Sequence, residues 1–126
     1  MLIINIDAPD VDACAAFYRS AVGLEPVRRL FDGAIVEMSL GAQLIHILPR
    51  PEGGGRTYQR HWTPVHLDVV VDDVEAAVER AVRAGGALER AIATSDWGRI
   101  AGLADPFGNG FCLIELSAAG YDAVAD

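Results

Sequence analysis

The chain has 126 residues and a net charge of −8, and its ten basic residues are all Arg. It is 52% apolar and 22% charged, the composition of an ordinary globular domain. So few basic groups argue against nucleic-acid binding, which needs clustered Lys and Arg. No apolar run reaches the roughly 18 residues that span a bilayer, and the N-terminus lacks the basic stretch of a signal peptide. We therefore expect a soluble, cytoplasmic protein with no membrane partner.

The first half predicts the order β-α-β-β-β. Its opening run, M-L-I-I-N-I-D, is apolar and β-branched, which favours a strand. A helix follows, with Asp10 as its N-cap and Gly23 as its C-terminal stop. Three short apolar runs come next, broken by Asp32-Gly33 and by Gly41, which are typical hairpin signals.

The second half repeats this order. The run P-V-H-L-D-V-V-V predicts a strand, Asp73 caps a helix that ends at Gly85-Gly86, and three apolar runs follow. A shift of 63 residues lays Asp10 on Asp73 and Gly23 on Gly86. An internal repeat of this kind indicates two copies of one structural unit.

We therefore predict one α+β domain over residues 1–126, built from tandem βαβββ modules at 1–50 and 65–118. One helix cannot cover both faces of a four-stranded sheet, so each module keeps an open face. The two open faces are expected to pair into a cupped, barrel-like eight-stranded mixed sheet with the helices outside, within one chain or across a dimer.

The stretch between the modules, residues 51–64, is rich in Gly, Pro and polar residues and predicts a linker. Its Arg and aromatic side chains are candidates to clamp an anionic substrate or gate a pocket, although a dimer contact or a plain surface explains them equally well. Large aromatic residues in loops often border ligand sites. The substrate-binding candidates are Tyr58, Arg60 and Trp62 in the linker and Trp97 in the loop S-D-W-G.

The repeat also pairs four positions that would face the cup. The shift of 63 lays Ile3 on His66, and a shift of 66 lays the strand around His46 on the strand around Cys112. Glu37 is a further substrate-binding candidate, and the register of its strand decides whether it faces the cup or the solvent.

Three segments carry a resemblance to a known family: A-A-F-Y-R-S-A-V-G-L at 15–24, the strand and helix at 65–86, and A-D-P-F-G-N-G-F-C-L-I-E-L at 104–116. With them the chain resembles the vicinal oxygen chelate superfamily of glyoxalase I, bleomycin-resistance proteins and extradiol dioxygenases, and most of all its glyoxalase-like branch. The superfamily includes isomerases, lyases, dioxygenases and metal-free binders, so the resemblance implies a fold more narrowly than a reaction.

The resemblance implies metal-ligand positions at Ile3, His46, His66 and Cys112, of which Ile3 cannot bind a metal. Imidazole suits Zn, Ni and Fe, a thiolate shifts the preference toward Zn, and Mn is the remaining candidate for one divalent metal. Glu115 has the opposite strand parity to Cys112, so we expect it to face away. The other interpretations are that both histidines line a polar pocket without metal and that Cys112 is packing.

The first functional expectation is an enzyme of the glyoxalase type, a metal-assisted lyase, isomerase or dioxygenase acting on a small molecule. The alternative is a metal-free small-molecule binding protein of the bleomycin-resistance type. The resemblance also implies a homodimer, since small relatives build their sites across chain interfaces. No catalytic residue is assigned from the sequence.

Overall fold

A computed structural model describes residues 3–49 and 66–125. The chain divides into two compact units, Met1–Thr57 and Tyr58–Asp126. Among residues 3–49 and 66–125, no helix is long and apolar enough to cross a membrane.

The N-terminal unit is a four-stranded sheet with one helix. The strands lie in the order β1-β4-β3-β2, with β1 parallel to β4 and the other neighbours antiparallel. Its elements are β1 (Ile3–Ala8), α1 (Val11–Val22), β2 (Glu25–Leu30), β3 (Ile35–Leu40) and β4 (Gln43–Pro49).

The C-terminal unit repeats this arrangement. Its strand order, β5-β8-β7-β6, has the same permutation, and β5 is again parallel to β8. This match confirms the predicted α+β class with two βαβββ modules. The elements are β5 (Leu67–Val70), α2 (Val74–Arg83), β6 (Ala87–Ser95), β7 (Gly98–Ala104) and β8 (Gly110–Leu116), followed by a 3-10 helix at Gly120–Val124.

The helix boundaries come from local capping, as the sequence predicts. The Asp10 carboxylate accepts a hydrogen bond from the Ala13 amide at 2.9 Å, and the Asp73 carboxylate accepts one from the Ala76 amide at 3.0 Å. Each bond satisfies an amide at the helix start that has no partner within the helix. Gly23 ends α1 in the left-handed region at φ 78°, which costs a residue without a Cβ little.

Each helix packs on its own sheet. In the N-terminal unit, Val36 and Met38 of β3 and Ile45 and Ile47 of β4 are all buried. Val36 and Met38 also line an open groove of about 880 Å³ together with residues of α1 and β2, which places them on the helix side of the sheet. Because side chains alternate along a strand, the residues between them turn to the opposite face.

The hairpin between β6 and β7 depends on a glycine. Gly98 has φ 152°, and a Cβ there would lie 2.3 Å from the Glu115 carbonyl oxygen of the neighbouring strand. Gly41, in the turn between β3 and β4, has φ 57° with no heavy atom within 4 Å of such a Cβ. The first position therefore combines backbone strain with a steric clash, and the second has strain alone.

We predict that Gly98→Ala lowers the free energy of unfolding by about 3 kcal/mol, because strain and clash add. The matched variant Gly41→Ala should cost about 1 kcal/mol, the penalty of the left-handed region by itself. Urea denaturation followed by circular dichroism measures both. Equal losses in the two variants would contradict the close approach of β7 to β8.

Candidate functional site

One row of polar residues crosses the N-terminal sheet on the face opposite α1. The strand register places Asn5 beside His46, His46 beside Glu37, and Glu37 beside Arg28. A register shift between Pro26 and Arg28 marks an irregularity in β2 just before the arginine. Irregularities of this kind re-aim side chains and often lie next to functional sites.

An equivalent row crosses the C-terminal sheet. Asp68 pairs with Cys112, Cys112 with Gly102, and Gly102 with Arg90. A register shift again precedes the arginine, between Leu88 and Arg90. Both rows therefore end in an arginine, on β2 in one unit and on β6 in the other. The residues in the middle of the two rows differ.

In the N-terminal row the middle is occupied by a charged pair. Glu37 is only 3% exposed, and its two carboxylate oxygens contact His46 Nε2 and Arg28 Nε, each at 2.8 Å. The hydrogen bonds from His46 and Arg28 hold the pKa of the Glu37 carboxyl below its usual range, against the opposing effect of burial. Glu37 is therefore an anion at neutral pH, and it turns toward His46 rather than toward the solvent.

In the C-terminal row the middle is occupied by a thiol beside a histidine and a carboxylate. His66 Nε2 lies 3.2 Å from an Asp68 carboxylate oxygen. The candidate ligand atoms of His66, Asp68 and Cys112 all lie within 4.8 Å of one another. His66 and Asp68 are two residues apart, so β-strand alternation puts them on the same face, and the parallel pairing of β5 with β8 brings Cys112 beside them.

The environment of Cys112 keeps its sulfur protonated. Burial and, to a smaller extent, the nearby Asp68 carboxylate raise the pKa of the Cys112 thiol to about 11, against the opposing effect of the Arg90 guanidinium. A thiol in this state is a poor nucleophile at neutral pH. A coordinating cation, by contrast, deprotonates a thiol outright.

Gly102 makes room for the arginine of this row. A Cβ at Gly102 would lie 3.1 to 3.2 Å from the Cβ, Cγ and Cδ atoms of Arg90. The aliphatic part of the Arg90 side chain therefore lies over Gly102. In the N-terminal unit, Glu37 occupies the position equivalent to Gly102. The placement of Arg90 brings its guanidinium close enough to act on the pKa of Cys112.

The sequence analysis names His66 and Cys112 as candidate ligands and does not name Asp68, which the structure brings beside both. Two signals were available: Asp68 follows His66 by two residues in a strand, and the shift of 63 lays Asn5 on Asp68. His46, which the resemblance implies as a ligand, has its Nε2 engaged by Glu37 and is not in the described His66, Asp68 and Cys112 group. Ile3 pairs with Leu44 and offers no ligand atom.

Of the remaining residues that the sequence analysis considered, Glu115 and Trp97 have described positions. Glu115 accepts a hydrogen bond from the Val74 amide at the start of α2, so it faces the helix as its strand parity predicts. Trp97 stacks on Tyr121 of the 3-10 helix, with ring centroids 5.2 Å apart, and its role toward a substrate stays a prediction. The predicted linker, with Tyr58, Arg60 and Trp62, lies outside the described residues.

The sequence matches a family model described as the glyoxalase-like domain over residues 3–114. The chain belongs to the glyoxalase-like domain family. The match covers both βαβββ modules and agrees with the resemblance to the vicinal oxygen chelate superfamily that the sequence predicts.

Two curated relatives carry names from anthracycline biosynthesis. The chain is 32% identical over 129 residues to the anthracycline biosynthesis protein DauV of Streptomyces sp. (strain C5), covering 98% of this chain and 43% of that protein. It is also 32% identical to the anthracycline biosynthesis protein DnrV of Streptomyces peucetius, covering 97% of this chain and again 43% of that protein. The chain thus spans less than half the length of the curated relatives it matches.

Solved structures share the fold of this glyoxalase-like domain. A glyoxalase/bleomycin resistance protein/dioxygenase family enzyme from Burkholderia phytofirmans PsJN superimposes with a TM-score of 0.77 at 21% identity, covering 91% of this chain and 97% of that one. The fosfomycin resistance protein FosX from Listeria monocytogenes superimposes with a TM-score of 0.75 at 17% identity, covering 94% and 92%. At these identities the likeness establishes the fold.

The raised pKa of Cys112 gives a direct test of its neighbourhood. In a Cys14→Ala background, Asp68→Asn should lower the pKa of the Cys112 thiol and speed its alkylation at pH 8 by about threefold to tenfold, since thiolate is the reactive form. Iodoacetamide alkylation followed by mass spectrometry across pH measures the change. Asp72→Asn, which removes an exposed charge near the end of the same strand, is the control, and equal acceleration in both variants would refute the specific effect of Asp68.

Proposed function

We propose that this glyoxalase-like domain acts on a small molecule with the help of a divalent metal held by His66, Asp68 and Cys112. The observation that carries the proposal is the convergence of an imidazole, a carboxylate and a thiol whose ligand atoms lie within 4.8 Å of one another. The three groups come from β5, the residue before it and the adjacent β8, so a rigid sheet supports all of them.

The donor set suits zinc best. Zinc binds imidazole nitrogen, carboxylate oxygen and thiolate sulfur, and catalytic zinc sites use three protein ligands and leave a fourth position for water or substrate. Ni, Fe and Mn are the other candidates, although the thiolate makes the set softer than Mn prefers. Asp68 replaces the missing ligand that Ile3 cannot supply, so a three-ligand set is available within one unit.

The reaction we propose is of the lyase, isomerase or dioxygenase type. When bound, a divalent metal would polarise neighbouring oxygen atoms of the substrate and stabilise negative charge on them. Cys112 on β8 and His66, the residue before β5, would hold the metal at one end of the C-terminal sheet. Arg90, which lies across Gly102 at the other side of the thiol, is placed to attract an anionic group of the substrate.

The ligand we propose is a small organic molecule. The relatives named for anthracycline biosynthesis and the fosfomycin resistance neighbour support this class over a macromolecular partner. The acidic balance and the absence of Lys support it as well, since they disfavour nucleic acid. We also propose a homodimer, as the resemblance implies, and a cytoplasmic location, as the sequence analysis expects.

A metal-free binding protein is the second candidate. Ile3 occupies the position that matches His66 in the repeat, and Glu37 already occupies Nε2 of His46. These two features favour a site in which polar side chains hydrogen-bond a ligand directly. His66 and Asp68 would then form an ordinary ion pair.

We predict that the protein binds one equivalent of Zn²⁺ and that His66→Ala and Cys112→Ser each weaken the binding by at least about tenfold, because each removes a ligand. Competition with a chromophoric chelator measures the affinity. Asp72→Asn is the matched control and should bind zinc as the unmodified protein does.

The absence of stoichiometric metal after incubation with Zn, Ni, Fe and Mn would refute the metal centre. A thermal-shift screen then tests the second candidate. Small molecules that stabilise the protein equally with and without EDTA would support metal-free binding, whereas hits that vanish with EDTA would support the metal-assisted enzyme.

The dimer has its own test. Size-exclusion chromatography with light scattering should give twice the mass of the chain at micromolar concentration. A monomer across the whole accessible concentration range would contradict the homodimer and leave the metal proposal standing, since its three ligands belong to one chain.

A further inference from the structure

The N-terminal unit has an open groove on the helix side of its sheet, which the proposed metal centre does not use. The groove has a volume of about 880 Å³ and is lined by residues of α1, β2 and β3. Small-molecule sites are usually clefts of about 300 to 1,000 Å³ with apolar walls and a few polar groups. The groove therefore has the size of a ligand site.

The floor and walls of the groove are apolar. The buried side chains of Val36 and Met38 form its floor, and Ala15 and Ala16 line it from α1. Val27 lines it from β2 and is 50% exposed. A ligand with an apolar body would cover Val27, and removing apolar surface from water is favourable in proportion to the area covered.

The charge of the groove comes from Arg19 of α1. Two other arginines line the groove, but Arg29 pairs with Asp12 and Arg28 pairs with Glu37, so their charges are compensated. The Arg19 side chain is exposed and has no ion pair or hydrogen bond within the described part of the chain. The groove therefore carries an excess positive charge, although the whole chain has a net charge of −8.

The C-terminal module has different residues at the matching helix positions. The shift of 63 lays Ala16 on Glu79 and Arg19 on Val82, and both residues of α2 are exposed. A longer anionic side chain thus replaces the alanine, and an apolar side chain replaces the uncompensated cation. The charge and the open space of the groove therefore come from the sequence of the N-terminal module and not from the shared fold.

The edge strand beside the groove is poorly suited to pair with another strand. Pro26 has no N–H to donate, and the register shift between Pro26 and Arg28 interrupts the regular ladder of β2. A docking peptide strand would lose hydrogen bonds here. A small molecule needs only the apolar walls and the charge.

We propose that this groove is a second ligand site, which binds a small organic anion with its apolar body against Val27 and Met38 and its carboxylate on Arg19. A guanidinium stays charged at neutral pH, and its planar donors match the two oxygens of a carboxylate. All residues of this site belong to the N-terminal unit. The inference therefore does not depend on the metal centre.

Titration of the unmodified, isotope-labelled protein with 2-naphthoate in EDTA, followed by amide NMR shifts, tests the site. The amides of Ala15, Ala16 and Val27 should shift and saturate with a Kd of about 1 mM or tighter, as expected for a ligand of this size. The neutral 2-naphthamide has the same rings and should bind about fivefold more weakly, because it lacks the charge. Equal binding of acid and amide, shifts confined to other surfaces, or no saturable shift would overturn the proposal.

Arg19→Gln should weaken the binding of 2-naphthoate by about fivefold and leave that of 2-naphthamide unchanged, because it removes only the charge. Arg83→Gln is the matched control, since it removes an exposed arginine from the last turn of α2. The control should bind both probes as the unmodified protein does. Equal affinity of Arg19→Gln and the control for 2-naphthoate would overturn the proposal.

Ala16→Glu gives α1 the residue that α2 has at the matching position. The longer anionic side chain should occupy the groove, repel 2-naphthoate and weaken its binding by at least about tenfold. Ala13→Glu is the control, because Ala13 is exposed on the same helix and does not line the groove. A folded Ala16→Glu variant that binds 2-naphthoate as tightly as Ala13→Glu would contradict the site.

Two further measurements separate this site from self-association and from the metal centre. Shifts of the groove amides on concentrating the protein without a probe would show that a second copy covers the groove, and would overturn the proposal. His66→Ala should leave 2-naphthoate binding unchanged, and a loss of binding in that variant would also overturn it. A protein that binds 2-naphthoate at the groove but no zinc would count against the metal centre alone.

Discussion

The parallel pairing of the first strand of each module with its last strand is the constraint on which the polar rows of both units depend. The helix that follows the first strand makes this pairing possible, because a parallel return needs a crossover connection. In the N-terminal unit the pairing sets Asn5 beside His46, and in the C-terminal unit it sets Asp68 beside Cys112. Residues more than 40 positions apart thereby become neighbours on one rigid face.

Duplication has produced two sheets with one plan and different electrostatics. Both rows have an arginine on the edge strand after a register shift, Arg28 in one and Arg90 in the other. The N-terminal row fills its centre with a buried carboxylate, which is stable there because two donors compensate its desolvation. The C-terminal row has a glycine at the same place, and its arginine lies toward a thiol. The same backbone therefore supports a hydrogen-bonded charge network in one unit and a candidate metal site in the other.

This difference has a chemical consequence. The buried Cys112 thiol stays protonated until a cation or a change in its surroundings draws the proton away. Metal binding at Cys112, as proposed, would therefore release a proton.

The sequence by itself determined the helices and strands, because caps, turns and strand periodicity are local properties. Asp10 and Asp73, for example, accept hydrogen bonds from amides three residues away. The internal repeat also predicted the order of the elements in each module. The sequence also identified His66 and Cys112 as candidate ligands that would face the same cup. Only the tertiary structure decided that Glu37 turns toward His46 and that Asp68 completes the group around Cys112. The physical reason is that a hydrogen bond or a ligand set depends on which residues the register brings side by side, and a one-residue change in register would move every one of these side chains to the other face.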